Sequence, residues 1–169
     1  MRIKRLIPLI VFVCLGTVSL PRIYDWSMRI GVKSGSSWDS YNYLGVARGA
    51  SLYFDVKDLP EPPPSASGLR LYFPHGDWSF RPGWYATDIR PPIAEREVYD
   101  FVVEAGPGDE VTLFWSAEEV PRVYELTLID RERRTSIDMR SAGEYVFECR
   151  SGGKVGFQVV VERERRRWD

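Results

Sequence analysis

Val155-Gly156-Phe157-Gln158-Val159-Val160-Val161 is the stretch that decides the fold class of this chain of 169 residues. Apolar side chains occupy every second position along it. Successive side chains of a β-strand point to opposite faces of a sheet, so a period of two is typical of a strand with one buried face. A helix would need a period of about 3.6 residues, which is absent here. The sequence therefore predicts a strand over residues 154–164.

The same alternation recurs along most of the chain. Short segments rich in Gly, Pro and Ser separate the alternating runs, and such segments favour turns because Gly tolerates positive φ and Pro fixes φ. No stretch of useful length has a helical period, so we predict an all-β fold, an antiparallel β-sandwich. The other alternating runs are Trp26-Met28-Ile30-Val32, Leu52-Phe54-Val56, Leu69-Leu71-Phe73, Tyr99-Phe101-Val103, Val111-Leu113-Trp115, Tyr124-Leu126-Leu128 and Tyr145-Phe147-Cys149.

Two segments interrupt this pattern. Residues 59–65 are rich in proline, which lacks the N–H that a central strand must donate, so we predict a stiff extended connector there. Residues 74–92 are rich in Trp, Tyr, Gly, Pro and Arg and show little alternation. We predict that they form a long ordered loop, or an edge strand flanked by loops.

The first 19 residues have the composition of a secretory signal peptide. Basic residues at positions 2, 4 and 5 precede an apolar run over residues 6–15, and small residues follow. The apolar run is too short to cross a bilayer, which takes about 20 residues. We therefore expect export without a stable membrane span, to the periplasm, the cell surface or the extracellular space.

The rest of the chain is expected to form one domain with a short tail. Residues 20–162 are predicted to be the β-sandwich domain, in which residues 97–162 look like a self-contained Ig-like core of about six strands. Residues 20–96 are more irregular and are expected to add strands and loops to the same sandwich. Residues 163–169 form a basic tail, with arginines at positions 163, 165, 166 and 167.

The charge balance argues against a nucleic-acid partner. Three of the 23 basic residues and none of the 24 acidic residues lie in residues 1–19, so the remaining chain has a net charge of −4. A mildly acidic chain has no overall basic field to attract phosphates. The arginine-rich tail is a local exception. It is either a solvated end or a docking patch for an acidic surface or anionic lipid.

The cysteines indicate a domain that folds without an internal disulfide. Cys14 lies in the predicted signal peptide, which leaves Cys149 alone in the mature chain. Because Cys149 is in phase with the apolar positions of its run, we predict a buried thiol.

Several short motifs carry a family resemblance. Together they resemble Ig-like or fibronectin-III-like β-sandwich modules of large secreted and cell-surface proteins of bacteria, over nearly the whole mature chain. That resemblance implies an accessory role and no active site. The motifs are Asp39-x-x-Asn42-x-Leu44-Gly45, Phe54-Asp55-x-x-Asp58-x-Pro60-Glu61-Pro62-Pro63, Leu71-Tyr72-Phe73-Pro74-His75, Thr87-Asp88-Ile89-Arg90, Leu128-Ile129-Asp130, Ser136-Ile137-Asp138-Met139-Arg140 and Tyr145-x-Phe147.

Catalytic and cofactor motifs are missing from the sequence. There is no hydrolase elbow, phosphate loop, dinucleotide fingerprint or zinc spacing, so we predict a protein that is not an enzyme and that holds no cofactor or metal. The single histidine, His75, is expected to cap a turn or bond a carbonyl group. Four oxygen-bearing residues near predicted turns could ligate calcium or simply cap those turns. They are Asp39, Asn42, Asp55 and Asp58.

The candidate binding site is the densest cluster of aromatic residues, together with the carboxylates beside it. The rings could cover one open end of the sandwich, anchor a protein interface, or stack on a sugar. The cluster comprises Asp77, Trp78, Phe80, Trp84, Tyr85 and Asp88.

These observations favour an exported, non-catalytic structural or adhesion module that acts through its surface. The expected partner is a protein, either a second copy or a component of the cell envelope. Pairing of a terminal strand with a neighbouring subunit would allow self-assembly, whereas fold completion within one chain would not. The alternative is a glycan-binding module that uses the aromatic cluster.

Overall fold

The computed structural model describes residues 24–64, 66–150 and 152–164, and every regular element in these ranges is a strand. The predicted signal peptide, Cys14 and the tail from residue 165 lie outside the described residues. The strands are β1 (Trp26–Ser34), β2 (Ser37–Val46), β3 (Arg70–His75), β4 (Gly83–Tyr85), β5 (Thr87–Arg90), β6 (Arg96–Glu104), β7 (Glu110–Ser116), β8 (Tyr124–Asp130), β9 (Thr135–Asp138), β10 (Glu144–Glu148) and β11 (Lys154–Arg163).

The strands form two sheets, and nearly all neighbours are antiparallel. One sheet has the order β10-β7-β1-β2-β5 and the other the order β4-β3-β6-β11-β8-β9. The exception is β5, which pairs with β2 in parallel. The prediction of an all-β fold is therefore confirmed, and the arrangement is compatible with a β-sandwich. Each sheet takes strands from both halves of the chain, 20–96 and 97–162.

The alternating side chains of both sheets meet in one hydrophobic cluster. Met28 and Ile30 of the first sheet and Phe101 and Phe157 of the second are almost fully buried. Burial of such side chains contributes about 1.5–3 kcal/mol each, which makes this cluster the main source of stability. Cys149 is also buried, as predicted, and burial raises the pKa of its thiol.

Both terminal strands are paired on two sides within the chain. β11 lies between β6 and β8, and β1 lies between β2 and β7. The outer positions of the sheets belong instead to β4, β5, β9 and β10. The backbone hydrogen bonds of β1 and β11 are thus used within the monomer.

One predicted strand is wrong. Residues 52–56 alternate in polarity, yet they lie in turns between β2 and β3. Side-chain hydrogen bonds explain the difference, because Asp55 Oδ1 accepts from the amide of Lys57 and Asp58 Oδ2 accepts from the amide of Asp55. Such bonds replace the partners that a strand would supply.

Candidate functional site

The predicted aromatic cluster is divided between two faces. Trp84 and Tyr85 are neighbours in β4, and successive side chains of a strand point in opposite directions. Tyr85 accordingly lies in the core, while Trp84 remains about half exposed. The six residues of the predicted site therefore do not share one surface.

The buried part of this cluster covers the edge of the core. Trp78 lies 4.9 Å from Tyr85 between ring centroids, and it stacks on His75 at 3.8 Å. Phe54 packs against Trp78 and Tyr85, and also against Phe80, whose ring is exposed. Because Trp78 and Tyr85 belong to the hydrophobic cluster, these rings mainly close the core.

The two carboxylates of the predicted site differ in environment. Asp77 is exposed, with one oxygen 4.0 Å from His75 Nδ1. Asp88 is buried and accepts hydrogen bonds from Arg90 Nε at 2.9 Å and Arg90 Nη2 at 2.7 Å. Burial opposes the charge of Asp88, but His75 and Arg90 outweigh it, so the pKa of Asp88 is lowered. Asp88 thus forms an ion pair with Arg90 inside the protein.

Trp84 belongs to a charged group on the outer face of the second sheet. The guanidinium of Arg70 lies 4.6 Å from its ring centroid, and Lys154 Nζ lies 5.7 Å away. Both cations pair with Glu104, which also accepts a hydrogen bond from Tyr72. Burial opposes the charge of Glu104, but these three partners together lower its pKa.

A groove of about 430 Å³ opens beside this group, between β2 and the proline-rich connector of residues 59–64. We call it the β2 groove. Its walls combine aromatic and proline rings with a few polar side chains. The lining residues are Trp38, Asp39, Ser40, Tyr41, Asn42, Leu59, Pro60, Glu61, Pro62, Pro63, Pro64, Leu69, Arg70 and Ala86.

Backbone contacts fix the connector wall of the β2 groove. The amide of Glu61 donates to the carbonyl of Trp84 at 2.9 Å, and the amide of Ala86 donates to the carbonyl of Leu59 at 2.8 Å. Pro60 forms an isolated bridge with Tyr85. The connector therefore lies along β4 as an extended segment, in agreement with its proline content.

A β-bulge shapes the opposite wall. Ile30 pairs with Asn42 and Val32 pairs with Asp39, so Gly31 alone faces two residues of β2, Ser40 and Tyr41. A Cβ atom at Gly31 would lie 2.8 Å from the carbonyl oxygen of Asp39, which leaves no room for a side chain. Bulges redirect side chains, and this one lies among the groove residues.

Two buried acceptor atoms in the β2 groove lack partners. Neither Asn42 Oδ1 nor Glu61 Oε2 has a hydrogen-bond partner among the described residues. The amide nitrogen of Asn42 donates to Asp39 Oδ1 at 2.8 Å, and the amide of Leu71 donates to Asp39 Oδ2 at 2.6 Å. Burial and the charge of Asp39 raise the pKa of Glu61 to about 7, despite the opposing charge of Arg70.

Large apolar side chains at the rim of the groove are exposed. Trp38 is 64% exposed, Tyr41 80% and Leu59 55%. This groove could not be predicted from the sequence, because its two walls come from a strand and a connector that are separated along the chain. One signal was available: Glu61 is the only charged residue in the proline run of residues 59–64.

The four residues considered for calcium lie in two separate hydrogen-bonded pairs. Asp39 binds Asn42 in the β2 groove, and Asp58 accepts from the amide of Asp55 in the loop after β2. Within the described ranges, no group of three or more His, Cys, Asp or Glu side chains could hold a metal ion. In these ranges no helix is long and apolar enough to cross a membrane.

Comparisons with protein-family models, with curated proteins and with solved structures find no match to this chain.

Proposed function

We propose that this protein is an exported, non-catalytic module of the Ig-like or fibronectin-III-like kind that binds another protein through its surface. The partner is a second copy or a component of the cell envelope, and the role is structural or adhesive. The observation that carries the proposal is the exposure of Trp38 and Tyr41 beside the β2 groove.

Exposed rings of this kind are typical of interfaces. Trp and Tyr are enriched among the residues that contribute most binding free energy in protein complexes. Single exposed apolar residues are ordinary, but contiguous apolar patches on a surface usually mark a contact site. Trp38, Tyr41 and Leu59 line the same groove, together with four prolines, and so form such a patch.

Strand pairing between subunits can add to this role at the outer strands. β9 and β10 each have one neighbour within the chain. An outer strand offers unpaired backbone groups to another strand. Self-assembly would then use these strands, because β1 and β11 already have two neighbours each.

A glycan at Trp84 is the second candidate, and the geometry favours it less. Sugars bind aromatic rings by stacking on an open face. The cationic groups of Arg70 and Lys154 already lie over the ring of Trp84, and Tyr72 packs against it at 5.0 Å. A sugar would have to displace these contacts.

The test is self-association of the mature chain, measured by light scattering coupled to gel filtration. We expect the apparent mass to exceed that of a monomer and to fall on dilution. The double variant Trp38→Ser, Tyr41→Ser should remain monomeric at concentrations where the wild type associates. Tyr53→Ser is the matched control, since Tyr53 is exposed but does not line the groove. A wild type that stays monomeric at high concentration would contradict self-association and leave an envelope protein as the partner.

A further inference from the structure

We propose that the β2 groove binds a cationic side chain, arginine or lysine, presented by the partner protein. Asn42 Oδ1 and Glu61 Oε2 would accept its hydrogen bonds, and the rings of Trp38 and Tyr41 would pack on its apolar stem. This inference rests on the proposed function and specifies the chemistry of the partner.

The buried atoms of the groove that lack partners in the described part of the chain are acceptors, so they favour a ligand that donates hydrogen bonds. Asn42 is almost fully buried, and its side-chain nitrogen is already committed to Asp39. Its oxygen has no hydrogen-bond partner among the described residues, and the same is true of Glu61 Oε2. A buried acceptor without a partner destabilises the protein, so a ligand that donates to both atoms recovers that free energy.

The charges of the groove favour a cation. Asp39 and Glu61 contribute two carboxyl groups, and Arg70 contributes one guanidinium. Arg70 is already paired, since its Nε donates to Glu104 at 2.7 Å and its Nη2 lies 2.5 Å from the same oxygen. Among the described residues, no Lys or Arg side chain forms an ion pair with Glu61. Lys and Arg are the side chains that supply hydrogen-bond donors together with a positive charge at neutral pH.

The exposed rings suit the same ligand. Cations bind over the faces of Trp and Tyr rings within about 6 Å, and a guanidinium also stacks on them. The chain itself shows this preference beside the groove, where the guanidinium of Arg70 lies over Trp84 and over Tyr72. Trp38 and Tyr41 offer rings without such a cation within the described residues.

Proton linkage distinguishes a cation from a neutral ligand. Glu61 is faced by Asp39 from β2 and by Arg70 and Tyr72 from β3, and burial together with Asp39 keeps its pKa near 7. A bound cation would stabilise the ionised carboxylate, so its affinity should rise as the pH increases through 7. A sugar hydroxyl carries no charge and would gain much less from that ionisation.

The test uses three short peptides in calorimetric titrations with the full mature chain. Acetyl-Gly-Arg-Gly-amide and its lysine analogue are the probes, and the citrulline analogue is a neutral match to arginine. We expect the arginine peptide to bind at least about tenfold more tightly than the citrulline peptide above pH 7, because only arginine brings a positive charge to the ionised Glu61 carboxylate. This preference should shrink below pH 6.

Two variants connect the binding to the groove. Glu61→Gln should abolish both the preference for the arginine peptide over the citrulline peptide and the pH dependence of that preference. Trp38→Ala should lower the affinity for the arginine peptide several-fold. Trp38 is exposed, so its removal leaves the core intact. Tyr53→Ala, outside the groove, should bind like the wild type.

Three results would overturn the inference. The first is equal affinity of the wild type for the arginine and citrulline peptides. The second is an affinity for the arginine peptide that is the same in Glu61→Gln and in the wild type. The third is that the wild type binds a neutral oligosaccharide and none of the peptides. If the peptides fail while the Trp38→Ser, Tyr41→Ser variant still loses self-association, the cationic ligand is wrong and the proposed function stands. If the peptides bind while the wild type stays monomeric, the groove recognises a different protein.

Discussion

The Tyr99 hydroxyl donates a hydrogen bond of 2.9 Å to the carbonyl oxygen of Gly45, and this bond joins the two sheets. Tyr99 is fully buried on β6, and Gly45 lies on β2. Burial raises the pKa of Tyr99 well above its ordinary value, so the phenol remains a donor throughout the physiological range. The contact therefore fixes how β2, which carries one wall of the groove, sits on the second sheet.

Removal of this hydroxyl should destabilise the fold without changing its shape. We expect Tyr99→Phe to lower the free energy of unfolding by about 1–2 kcal/mol, because one buried hydrogen bond is lost. Urea unfolding followed by tryptophan fluorescence measures this, and the slope with urea should be unchanged. Tyr41→Phe on the exposed side of β2 should have no effect. If Tyr99→Phe lowered the free energy of unfolding no more than Tyr41→Phe does, the hydrogen bond between Tyr99 and Gly45 would not be made.

Gly45 also tests the packing of β2 on β1. A Cβ atom there would lie 2.5 Å from the carbonyl oxygen of Trp26, so Gly45→Ala should cost about 1–3 kcal/mol or more. In Gly156→Ala, the new methyl group on β11 would meet no atom within 4 Å. The free energy of unfolding of that variant should be unchanged or slightly higher, since alanine lowers the entropy of the unfolded chain. Equal melting temperatures for the two variants would contradict the register of β1 and β2.

The period of two identified most of the strands because it depends only on which face of each strand is buried. It worked for the runs that contain Ile30, Leu113 and Phe157. It missed β2, where the bulge opposite Gly31 interrupts the alternation. It also gave a false strand at residues 52–56, where the hydrogen bonds of Asp55 and Asp58 outweigh the pattern.

The candidate site was harder to predict from sequence than the strands. Residues close in sequence, such as Trp84 and Tyr85, point to opposite faces once β4 is a strand. Residues distant in sequence, such as Asn42 and Glu61, line the same groove because β2 and the connector are neighbours only in the folded chain. Composition identifies aromatic residues but not the face on which each one lies.

The ion pair of Asp88 and Arg90 should appear in the dependence of stability on pH. The folded pKa of Asp88 is below its ordinary value of 3.8, so its contribution is complete above that pH and is lost as the pH falls through the folded pKa. Asp88→Asn should cost about 1.5–3 kcal/mol at neutral pH, because the largely buried Arg90 keeps its ion pair with Glu97 but loses its charged hydrogen bonds to Asp88. The acid part of the melting-temperature profile should also become flatter. Asp77→Asn, at an exposed position, should reproduce the wild-type profile.

Glu61 should give stability a pH dependence opposite to that of Asp88. Its pKa is about 7 in the folded chain and 4.5 ordinarily, so the folded state holds this proton more tightly than the unfolded state. The stability of the wild type should therefore fall as the pH rises from about 4.5 to about 7. Glu61→Gln removes the penalty, and should be more stable than the wild type above pH 7 by about 1–2 kcal/mol after allowance for solvent screening.

Thermal melts of the two proteins across this range measure the difference, which should vanish below pH 4.5. Asp58, whose pKa burial raises to about 6, contributes equally to both proteins and cancels. Glu104→Gln is the control of opposite sign: Glu104 is paired with Arg70 and Lys154, so its replacement should destabilise the fold at neutral pH. If Glu61→Gln proved less stable than the wild type above pH 7, the Glu61 carboxylate would have to possess a cationic partner, and the groove would not be free to bind one.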